Sequence, residues 1–148
     1  MKIDEAVEQR VRDTLHWVVK QNADKFDKAL RGFPDEKSRL HALELLARVN
    51  AHAATDVFGH RPSPDEIRAL ADKIARSEAW SVAPPTEIAT FLDAVLEGRP
   101  LAEALPADSV VFLSFIVAGN LLSSQPMPEG KWWFDYLDRI EATIEAGS

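Results

Sequence analysis

Val110-Val111-Phe112-Leu113-Ser114-Phe115-Ile116-Val117-Ala118-Gly119-Asn120-Leu121-Leu122 runs for 13 residues without a charge, and only Ser114 and Asn120 carry polar side chains. Wound as a helix from about Ala107, it is apolar on nearly every side. A helix of that kind must be enclosed by other elements. Thirteen residues are too few to span a bilayer, so the sequence predicts a buried core helix rather than a membrane segment. The remaining chain must therefore supply the walls, or a second copy must.

Those walls are marked out by proline and glycine. The nine prolines, at 34, 62, 64, 84, 85, 100, 106, 126 and 128, leave long unbroken stretches of helical periodicity between them. Gly32, Gly59 and Gly98 each follow an apolar-periodic run and precede a proline by no more than three residues, the pattern of a closed helix end. Six main helices are predicted, over about 4–30, 34–58, 64–77, 85–98, 107–122 and 131–145, with a short helical turn at 100–104. Ser63-Pro64-Asp65-Glu66 is the sharpest boundary: a capping box with proline at the first helical position. In the second helix Leu40, Leu43, Leu46, Ala53, Ala54 and Val57 are expected to face inward. No alternating β-branched run with hairpin residues occurs, so no sheet is expected. The fold class is all-α, one helical bundle spanning 1–148 around the apolar helix at about 107–122.

Composition bounds the function. The 148 residues are 46% apolar and 28% charged, the balance of an ordinary globular domain. Cysteine is absent, which removes thiolate metal sites, iron–sulfur clusters, disulfides and a cysteine nucleophile. The opening residues hold no apolar signal region, and a cytoplasmic address is the expectation. The net charge of −7 lies entirely in the second part of the chain: residues 1–60 carry ten basic and ten acidic side chains, residues 61–148 seven and fourteen. An acidic surface repels phosphate backbones and attracts basic proteins, so nucleic acid is disfavoured as a partner. A helix-turn-helix made from the third and fourth helices is disfavoured too. Its connection is long, and the fourth helix offers Glu87, Asp93 and Glu97 without a basic residue.

Three groups of residues are candidate sites. Glu44, Arg48, His52 and Asp56 lie four apart on one polar stripe, with His60 four further on beyond Gly59. Imidazole and carboxylate one turn apart can ligate a metal or work as a base with its orienting acid, and His52, Asp56 and His60 are the three candidate ligands. A plain surface ladder of ion pairs accounts for the same spacing, and no cofactor is implied. Asn50 and Asn120 fall on buried faces, where an amide must find hydrogen bonds, and a shared contact between them is expected. Trp132, Trp133, Phe134 and Tyr136 crowd four aromatics into five positions, which one helix face cannot bury. Trp132, Phe134 and Tyr136 are the predicted partner-binding residues, unless the loop Gln125-Pro126-Met127-Pro128 covers them.

The reading that follows is a non-enzymatic protein-interaction module that binds a protein partner or itself as a homodimer. Two alternatives stand beside it. One is an acid–base or metal-assisted enzyme using Glu44, His52, Asp56 and His60. The other is a small-ligand carrier with an interhelical pocket using Asn50, Asn120 and Trp133. No membrane association is expected.

Overall fold

The computed structural model describes residues 1–147 and is all-helical, with no strand among them. Eight α-helices follow in order: α1 (Glu5–Val19), α2 (Ala23–Arg31), α3 (Glu36–Phe58), α4 (Pro64–Ser77), α5 (Pro85–Glu97), α6 (Leu101–Ala104), α7 (Ala107–Ser124) and α8 (Trp133–Ala146). A single 3-10 turn, Ala79–Ser81, joins α4 to α5.

Most boundaries have the local causes read from sequence. Asp4 accepts the Val7 amide at 3.0 Å and Asp35 that of Ser38 at 2.7 Å, each satisfying an otherwise orphan donor. The Ser63 box is closed from both sides: the Glu66 amide donates to Ser63 Oγ at 3.2 Å and the Ser63 amide to Glu66 Oε1 at 3.0 Å. Gly59 and Gly98 end α3 and α5 with φ near +69°, where a side chain is strained. Gly32, by contrast, closes α2 in the right-handed region at φ −79°.

One long helix was expected over 4–30, and two are found. Gln21 adopts a left-handed φ of 55°, and Asn22 then caps a new helix by accepting the Lys25 amide at 3.0 Å. Tertiary contact pins the corner, since Gln21 Nε2 donates to the Ser77 carbonyl at 3.1 Å. An amphipathic period running through the break hides it, because the apolar stripe resumes on α2 at Phe26.

The apolar α7 is enclosed by the chain's own helices, packing on α1, α3, α4, α5, α6 and α8. It reaches 18 residues, longer than its uninterrupted apolar run, and by length and composition alone could cross a membrane; 61% of it is buried inside the bundle. Against it α3 turns Ala42, Leu45, Leu46, Val49, Asn50 and Ala53. That register corrects the inward face expected of α3. Leu40 is 58% exposed, Val57 is exposed and Leu43 is only half-buried, whereas Leu46, Ala53 and Ala54 are buried as expected; Leu40 lies nearly opposite the buried stripe, and Val57 stands in the last turn of α3.

At Gly119 of α7 the helices α1 and α7 pack in close contact. A Cβ built on Gly119 falls 2.9 Å from Val18 Cβ and closer still to Val18 Cγ1. Val18 is fully buried and β-branched, so it cannot swing aside. Gly119→Ala is expected to lower stability by about 1 kcal/mol, the cost of overpacking outweighing the helix propensity gained. Adding Val18→Ala should recover part of that loss. Urea unfolding of the two single variants and the double variant checks it; simple additivity would show that the two positions do not touch.

Candidate functional site

The carboxyl end of α3, the face of α8 and the segment Gln125–Met127 meet at a cleft of about 480 Å³. It joins residues from two groups singled out in the sequence. His52 and Asp56 come from α3, one turn apart, and Tyr136 and Arg139 come from α8.

Tyr136 Oη donates to Asp56 Oδ2 at 2.6 Å, tying α8 to α3. Burial together with this bond to a carboxylate holds the phenol protonated well above its ordinary range. Tyr136 is therefore a fixed donor, not a base or nucleophile. The Arg139 guanidinium lies 5.2 Å from the centre of the Tyr136 ring, a cation–π contact that the i, i+3 spacing places on one helix face. It forms no ion pair among the described residues. His52, half-buried, likewise has no hydrogen-bond partner on either ring nitrogen among the described residues. Asp56 is thus spent on Tyr136 and does not orient His52, so the expected pairing of a base with its orienting acid is not formed.

His60 is elsewhere. Past the left-handed Gly59 the chain turns toward the α4 cap, where His60 Nε2 lies 3.4 Å from Glu66 Oε2 and Nδ1 lies 3.0 Å from the Arg61 carbonyl. It lines a different cleft, of about 340 Å³, with Arg61, Ile67 and Glu97. The three-ligand set His52, Asp56 and His60 is accordingly not assembled, and no group of three His, Asp or Glu positioned for a metal occurs among the described residues. Glu44 and Arg48 face outward as a loose pair at 4.0 Å.

The two asparagines are both buried, as their places on the helices predict, but they do not meet. Asn50 donates to the Ser114 carbonyl at 3.1 Å, and its own oxygen has no partner. Asn120 donates to Glu78 Oε2 at 2.8 Å, while Trp80 Nε1 donates to the other oxygen at 2.8 Å. The expected Asn50–Asn120 contact is replaced by two separate ones because Asn50 on α3 meets α7 at Ser114, whereas Asn120, six residues further along α7, faces Glu78 in the turn after α4. Nor do Asn50, Asn120 and Trp133 line the α3–α8 cleft, whose polar groups are His52, Asp56, Tyr136 and Arg139. Glu78, Arg139 and Glu141 were not singled out from sequence. The i, i+3 spacing from Tyr136 is the signal that could have marked Arg139.

The aromatic cluster divides. Tyr136 is 2% exposed and faces the core and cleft, which corrects its expected role as a partner-binding residue. Trp132 precedes the first turn of α8 and is 64% exposed; Phe134 is 40% exposed. The Trp132 amide donates to Asp135 Oδ2 at 2.8 Å, so this end of α8 is ordered without covering either ring. Gln125–Met127 lies over the cleft with Tyr136 and leaves Trp132 open.

Carboxylates flank the two rings. Behind Phe134, Arg12 of α1 reaches Glu8, Asp138 and Glu141 at 2.6, 2.7 and 3.2 Å, three acids on one guanidinium. Burial, then the neighbouring Glu8, pushes Glu141 up to about 7, with Arg12 opposing. The chain matches no protein-family model, no curated protein and no solved structure.

Proposed function

We propose that this chain is a protein-interaction module that docks a basic protein partner on the amino-terminal turn of α8, with Trp132 and Phe134 as anchors. The observation that carries this reading is the exposure of both rings on an ordered helix end, since large aromatics left open together are favoured as binding anchors. Asp135, together with Glu8, Asp138 and Glu141 around the single Arg12, leaves this end of α8 with an excess of acidic groups. A second copy of the chain would bring the same acidic turn against itself, so a partner of opposite charge fits better than a homodimer.

A photo-crosslinking residue in place of Phe134 tests it. The expected result is a discrete crosslinked product with a basic protein, diminished by Trp132→Ala and by raised salt. Labelling no stronger than from a control position such as Glu103, exposed on α6, would remove the reading. A product with a second copy of the chain would replace it by self-association.

A further inference from the structure

The α3–α8 cleft holds two donors that nothing in the fold uses. The Arg139 guanidinium rests on the Tyr136 ring without a carboxylate of its own, and His52 presents free ring nitrogens from the opposite wall. Arginines in folded proteins are commonly spent on carboxylates, as Arg12, Arg31, Arg39 and Arg99 are here. Beside these donors the cleft has an apolar side formed by Pro126, Met127 and Ile140. Its volume of about 480 Å³ is that of a small-molecule site.

We infer that this cleft binds a small monocarboxylate with an apolar tail. The planar fork of Arg139, held in orientation by the ring beneath it, matches the two oxygens of a carboxylate. His52 offers a further N–H from α3, and the tail lies along Met127 and Ile140. Asp56 sets the charge of the ligand. Its carboxylate lies in the cleft, 2.6 Å from the Tyr136 hydroxyl, so one acid stands beside the single guanidinium and disfavours the double charge of a phosphate monoester more than the single charge of a carboxylate. The site is independent of the Trp132–Phe134 surface, which contributes no residue to the cleft.

Titration calorimetry of the whole chain with octanoate, octanol and octyl phosphate, all below their aggregation concentrations, tests the inference. Octanoate should bind one to one in the submillimolar range and at least tenfold more tightly than octanol or octyl phosphate. Arg139→Met should weaken octanoate at least tenfold and leave octanol unchanged; Arg139→Lys, which keeps the charge and loses the fork, should weaken it about threefold. Arg139 is solvent-exposed, so both variants should fold, which a thermal melt verifies. Trp132→Ala together with Phe134→Ala should leave octanoate affinity intact. Absence of saturable octanoate binding, equal affinity for octanol, or indifference to Arg139→Met would each overturn the assignment. Octyl phosphate binding as tightly as octanoate would overturn the carboxylate preference.

Discussion

Asn120→Leu lowers the stability of the fold by about 2–3 kcal/mol, whereas Asn50→Leu changes it by less than about 1 kcal/mol. Both asparagines are buried amides on core helices, so their side-chain type and burial give no reason for the contrast. The difference lies in the acceptor. Asn50 donates to a backbone carbonyl and carries an unmet oxygen, so removing the amide loses one bond and one unsatisfied atom together. Asn120 donates to the carboxylate of Glu78, which is buried and has no cationic partner among the described residues. Stripping that donor leaves a buried charged oxygen uncompensated, among the costlier single defects in a folded chain. Urea unfolding at pH 7 measures both changes. Glu78→Met in the Asn120→Leu background should restore more than half of the loss, because the stranded carboxylate goes with it; Trp80 is half-buried and its N–H can turn to water. Equal effects of the two asparagine variants, or no recovery in the double variant, would show that the Glu78–Asn120 bond is not what matters.

The second large effect is a pH dependence centred on Glu141. Its folded pKa of about 7 stands above the ordinary 4.5, through burial first and then the nearby Glu8. The folded state therefore holds this proton more tightly than the unfolded chain does. Its stabilising contribution is fully present below about pH 4.5 and is lost as the pH rises through 7. The shift sets a ceiling of about 3 kcal/mol, and water around the exposed Asp138 lowers the expected effect to about 1–2 kcal/mol. Glu141→Gln imitates the protonated side chain. It should match the parent protein near pH 4.5, gain on it progressively to about pH 7, and keep an advantage of about 1–2 kcal/mol at pH 8. Unfolding free energies measured across that range provide the check. A difference between the two proteins that did not vary with pH would mean that Glu141 does not titrate in the folded state.

Much of the architecture was legible because its causes are local. Proline at the first position of α4 and α5, the Ser63–Glu66 box and the left-handed glycines after α3 and α5 act within a few residues of where they stand. The uncharged run from Val110 to Leu122 likewise announced the enclosed helix, since nothing on its surface suits water. The corner at Gln21 was not legible. Its left-handed turn is held by the Ser77 carbonyl, a partner more than fifty residues away.

The candidate sites divide along the same line. Spacing alone established that His52 and Asp56 share a face, that Asn50 and Asn120 lie on buried stripes and that the aromatics of α8 cannot all be buried. Spacing does not say what a side chain meets across an interface. Only the packing of α8 against α3 gave Asp56 to Tyr136, leaving Arg139 and His52 free in the cleft, and only the chain reversal at Gly59 carried His60 away from them. The sequence by itself determined that the chain is helical and where most of its helices begin and end, because hydrophobic period and capping are properties of neighbouring residues. Tertiary structure decided the partners, because a hydrogen bond is set by distances of about 3 Å that depend on the placement of two helices far apart in the chain.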